Sequence, residues 1–146
     1  LGTSYYAVGY NNNIGAPSQL TIVGTAANTQ VTVTPSSALT SGQPAGTPFT
    51  VTLNQGQSVM FGSNTDITGT KVTSTAPVAV FGGSACADVP NGAFACDHLI
   101  SALPSTDKYT KSVPITKTTG TERSSSVTAQ PGTIAACPCN VWRMAA

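Results

Sequence analysis

Alternation of β-branched with polar residues constrains this chain more than any other feature. In Gln30-Val31-Thr32-Val33-Thr34 the two valines project to one side of an extended backbone and the two threonines to the other. A period of two fits a sheet with one face buried, and no segment sustains a helical period. Further strands are predicted at Ser4-Tyr5-Tyr6-Ala7-Val8, Gln19-Leu20-Thr21-Ile22-Val23, Phe49-Thr50-Val51-Thr52-Leu53 and Ser58-Val59-Met60-Phe61. Thr70-Lys71-Val72-Thr73 and Pro77-Val78-Ala79-Val80-Phe81 complete the series. Thr on the outer face keeps β propensity without charge. Strands recur about every ten residues, which predicts an all-β fold: an antiparallel β-sandwich, jelly-roll or Ig-like.

Turn chemistry punctuates the runs. Ala26-Ala27-Asn28 is expected to join two strands as a short hairpin, and Asn54-Gln55-Gly56-Gln57 to form a second tight turn. Pro35 and Pro48 fall at strand ends, where a missing N–H does least harm. The stretch Asp97 to Leu103 allows one helical turn. A weak internal repeat relates Tyr5 to Tyr109, Val23 to Val127 and Thr29 to Thr133. The second copy breaks off and is less apolar, with Ser124-Ser125-Ser126 in the place of Leu20-Thr21-Ile22. The organisation read from this is a β-sandwich unit over 1–104 and a partial second β unit, or strand-donating tail, over 105–146.

Charge limits the partners. Charged residues make up 8% of the 146 residues, against about a quarter in average soluble proteins. Ser and Thr instead supply roughly a quarter of the chain, a composition common in extracellular β proteins. The net charge is +1 and Lys and Arg form no run, which argues against a nucleic-acid partner. No apolar stretch is long enough for a membrane span. The chain starts at Leu1 with no signal peptide, and is read as a processed or excised piece.

The four cysteines, Cys86, Cys96, Cys137 and Cys139, lack metal-type spacing, and a single His accompanies them. Disulfides and an oxidising compartment are expected, with no metal and no cofactor. Cys86 and Cys96 bracket a short loop and are the predicted pair; the alternative is that one of them bonds Cys137 or Cys139. Those two cannot readily bridge each other across Pro138, so at least one is open to a tail or inter-subunit bond.

Asp88, Asp97 and His98 lie near the Cys86–Cys96 loop. They read either as a metal or acid/base group, or as structural polar residues in which Asp97 caps a turn after Cys96 and His98 fills a polar niche. Ser84 and Ser101 sit in no Gly-x-Ser-x-Gly elbow, so no nucleophile is matched to that His. Tyr5, Tyr6 and Tyr10 with Asn11-Asn12-Asn13 form a candidate sugar-binding strip; Tyr on a strand is more often core. No Asn-x-Ser/Thr sequon is present.

The segment Thr70-Lys71-Val72-Thr73-Ser74-Thr75-Ala76-Pro77-Val78-Ala79-Val80-Phe81-Gly82-Gly83 runs into Cys86-Ala87-Asp88-Val89-Pro90, then Ala95-Cys96-Asp97-His98-Leu99-Ile100 and Leu103-Pro104. Together with Leu1-Gly2-Thr3-Ser4-Tyr5-Tyr6 and Ala27-Asn28-Thr29-Gln30-Val31-Thr32-Val33-Thr34-Pro35, it resembles the N-terminal domain of the IgGFc-binding protein family. The resemblance covers Leu1 to about Pro114. From Thr116 onward the sequence departs, with Arg123-Ser124-Ser125-Ser126 and Cys137-Pro138-Cys139 fitting poorly.

The resemblance implies a secreted or cell-surface module that is structural or adhesive, and brings no catalytic residues with it. The expected function is therefore a non-catalytic extracellular structural or adhesive module, extending to a subunit of a filament or tandem array. The alternative is a glycan- or glycoprotein-binding module. Expected partners are further copies of the chain, other extracellular glycoproteins, or glycans.

Overall fold

A computed structural model describes residues 1–10, 14–89, 92 and 94–108, and the backbone of 112–114 and 126–128. Leu1–Lys108 form one compact unit and Tyr109–Ala146 a second, so residues 105–108 group with the first. The first unit contains β1 (Gly2–Tyr6), β2 (Ser18–Gly24), β3 (Thr29–Thr34), β4 (Phe49–Leu53), β5 (Ser58–Ser63), β6 (Lys71–Ala87) and β7 (Asp97–Ala102). All seven strands join one sheet, every pairing in it antiparallel. In the second unit, β8 (Ser112–Pro114) pairs antiparallel with β9 (Ser126–Thr128). Of the proposed repeat, Tyr109 and Thr133 lie outside the described residues, while Val127 sits in β9 opposite Val113.

β6 organises the sheet. Along one edge it pairs with β3 at 71–74 and with β2 at 78–84. Along the other it pairs with β1 near its start and with β7 at 81–87. β4 and β5 continue outward from β3 and β2. The result is two four-stranded halves, β4-β3-β6-β1 and β5-β2-β6-β7, with β6 running through both. Strands that bend from one layer into the next make the corners of an orthogonal sandwich. The all-β antiparallel expectation holds, with β6 as the strand that belongs to both layers.

Three local readings change with this topology. Ala26–Asn28 is not a hairpin, because β2 and β3 pair with β6 and not with each other. It is the corner where the chain passes between halves, helped by Asn28 at a φ of 53°. Gln57 bonds Asn54 across the facing turn, where Gly56 has a φ of 78°, and β4 and β5 likewise do not pair with each other. The runs at 70–73 and 77–81 are one strand, with Pro77 between the β3 and β2 pairings, where no donor is required. Asp97–Ala102 is a strand and not a helical turn, because its backbone groups are taken up by β6.

Folding at the corners brings inward residues of both halves together. Leu20, Ile22, Val31, Val33, Phe61, Val72, Val78 and Val80 share one core cluster. Phe49 of β4 and Phe61 of β5 meet edge to face at 5.3 Å. Twelve residues of flat strand would hold them about 40 Å apart, so this contact marks the fold of the sheet onto itself.

Tyr5 is 1% exposed, and its hydroxyl donates to the Val78 carbonyl at 2.7 Å. Burial, the largest influence, raises its phenol above the ordinary value of 10.0. The folded state therefore holds this proton more tightly than the unfolded one. The contribution to stability is complete below pH 10 and is lost as pH rises from there through the folded value. Tyr5→Phe is expected to cost about 1 kcal/mol near neutrality through the lost hydrogen bond. It should also flatten the alkaline fall in the urea midpoint; an unchanged alkaline slope would contradict this origin.

Candidate functional site

The two outward sheet faces differ in chemistry. On β4-β3-β6-β1, register aligns Thr50, Thr32, Thr73 and Ser4 in one row. Thr32 and Thr50 share a hydroxyl contact of 3.1 Å, and the Gln30 N–H donates to Thr75 Oγ1 at 3.0 Å. Thr34, Lys71 and Tyr6 form the next row, so this face is polar with one aromatic at its margin.

On β5-β2-β6-β7 the outward positions carry Met60, Phe81 and Ile100. Met60 and Ile100 are 60% and 61% exposed, and Thr21 stands between Met60 and Phe81 in register. These side chains surround a depression over Gly83, rimmed by Gln19 and His98. His98 Nε2 lies 3.1 Å from Gln19 Oε1, so the imidazole on β7 reaches across β6 to β2. The depression encloses about 30 Å³, room for one water and far below a small-molecule pocket. A cleft of about 210 Å³ lies at Ala38, Leu39, Thr40, Ser63, Asn64 and Thr65, none of which is titratable near neutrality.

The disulfide falls where the sequence pairs it. Cys86 is the last residue but one of β6, Cys96 directly precedes β7, and their Cα atoms are 5.3 Å apart. Cys137 and Cys139 lie outside the described residues. Asp97 is exposed and accepts the His98 backbone N–H at 2.7 Å, closing the start of a strand instead of capping a helical turn. Asp88 is half-buried, and among the described residues no three His, Cys, Asp or Glu side chains gather to hold a metal. His98→Ala removes one exposed hydrogen bond, so a stability change under about 1 kcal/mol is expected. A larger fall in melting temperature would give His98 a structural weight this geometry lacks.

The candidate sugar strip divides. Tyr5 is core, Tyr6 and Tyr10 are exposed, and Asn11–Asn13 lie outside the described residues. The apolar face was missed in the sequence, although its signal is there. Met60 and Phe81 occupy the outward phase of their strands, beside the inward Phe61 and Val80. An apolar residue out of phase marks a surface with something to cover.

A family model described as IgGFc binding protein matches residues 1–136. The match continues past Pro114 and through Arg123–Ser126, so the departure after Thr116 does not end the family similarity. Neither a curated protein nor a solved structure matches the chain.

Proposed function

The chain belongs to the IgGFc binding protein family, and from that premise we propose that it is a non-catalytic extracellular module that adheres to other proteins through a flat sheet face. The family suggests a binding module, and the Cys86–Cys96 disulfide is consistent with an extracellular setting. The observation that carries the reading is the exposure of Met60 and Ile100 beside Phe81 on the outward face of β5-β2-β6-β7. A flat apolar surface with a polar rim suits a protein partner better than a small substrate. Low charge lets two such surfaces approach without repulsion, which supports secreted glycoproteins, or further copies in a filament or array, as partners.

The test is binding to immobilised secreted glycoproteins by the wild type and by Met60→Ser/Ile100→Ser. Both residues are exposed, so melting should move little while binding weakens about tenfold or more. Unchanged binding would remove this face from the reading. Glycan-array binding that survives the double substitution would favour the glycan alternative, through the hydroxyl face carrying Thr32, Thr50 and Tyr6. A single monomeric species in sedimentation of native material would end the filament reading.

A further inference from the structure

Strands stay in a sheet by burying side chains as well as by pairing backbone. β7 does little of the first. Asp97, His98, Ile100, Ser101 and Ala102 are exposed, Leu99 is half-buried, and among the described residues the core cluster takes none from β7. Its attachment is the backbone ladder to β6, from Phe81 opposite Ala102 to Ala87 opposite Asp97, and one exposed side-chain bond from His98 to Gln19 of β2. Ladders without buried side chains open at low free energy.

Two pins hold the ends of this strand. At one end Leu103 packs against the core and donates its N–H to the Val80 carbonyl at 2.8 Å. At the other, Cys96 is bonded to Cys86 of β6. The first pin is as permanent as the core; the second is chemically reversible, and both of its cysteines are half-buried and not sealed inside.

We propose that β7 is a strand latch, held shut by the Cys86–Cys96 disulfide and released by its reduction. A dithiol reductant supplies the two electrons and two protons. Its thiolate attacks one sulfur, the Sγ–Sγ bond breaks, both cysteines end as thiols, and the reductant's own sulfurs end as a disulfide. β7 then opens from the Cys96 end about Leu103. Residues 81–87 of β6 are left as an unpaired edge, the surface to which another extended strand adds. The core strands β2 and β3 are untouched, since their inward side chains owe nothing to β7.

Amide hydrogen exchange with and without dithiothreitol tests the latch on the intact chain. Closing a loop of this length is worth about 100-fold in the opening equilibrium. The β7 amides bonded to β6 should therefore exchange about 100-fold faster after reduction, while those of β2 and β3 keep their rates. Cys86→Ser/Cys96→Ser should show the same split without reductant; if it does not fold, the reduced wild type decides. Equal β7 rates in both redox states would overturn the latch. Acceleration of β2 and β7 together would overturn it too, since the disulfide would then hold the whole unit.

Discussion

Gly82→Ala is expected to be among the most damaging single substitutions in the unit. A Cβ at Gly82 would overlap the Val8 carbonyl oxygen, with the Val8 carbonyl carbon 3.0 Å away and Leu103 Cδ1 at 3.3 Å. At Gly83 it would overlap the Leu99 carbonyl oxygen, with the Leu99 carbonyl carbon 2.7 Å away. These neighbours are mainly backbone, so no rotamer change relieves them, and the chain around Val8 or β7 must move. Overpacking of this kind costs about 3 kcal/mol or more, against a total of about 5–15 kcal/mol for a domain. The melting temperature should fall by about 12 °C or more. A Gly82→Ala variant melting within a few degrees of wild type would mean that Val8 does not lie over β6 as described. Gly42 offers the contrast: no atom beyond its own chain neighbours lies within 4 Å of its added Cβ and its φ is 96°, so the cost there is backbone strain alone.

Phe61→Ala should produce the largest loss among the core truncations. Phe61 is 6% exposed and sits on β5, at the outer end of one half of the sheet, while its ring partner Phe49 sits on β4 at the outer end of the other. The two strands share no ladder, so their rings help hold the folded sheet closed on this side. Removing a buried Phe side chain costs about 3–5 kcal/mol. Phe49→Ala should cost less, because Phe49 is only partly buried. The pair should couple by about 1 kcal/mol in a double-mutant cycle followed by urea unfolding. Strictly additive losses would show that the rings are neighbours without mutual stabilisation and that the closure rests on the aliphatic core.

Much of the local structure was legible because its causes are local. Val31 and Val33 alternate with Thr32 and Thr34, so the buried phase of β3 could be read without knowing any partner strand. The same holds for Leu20 and Ile22 in β2 and for Val78 and Val80 in β6. The Cys86–Cys96 pair spans ten residues, and the residues around it carried the family resemblance that the match over 1–136 bears out.

Strand phase, the inward residues and the family follow from the order of residues alone, whereas neighbourhood was settled only on folding. A period of two assigns each side chain to a face but carries no information on which strand lies beside it. Ala26–Asn28 is short enough for a hairpin, yet it became a corner because β2 and β3 both found their ladder on β6. The gap between Thr73 and Pro77 likewise reads as a strand break, and became the stretch of one continuous β6 between its β3 and β2 pairings. Asp97–Ala102 could be placed as a strand only once an open edge at 81–87 was there to receive it. The apolar face arose the same way: Met60, Phe81 and Ile100 are scattered singly along the chain, and only pairing through β2 and β6 gathers them on one surface.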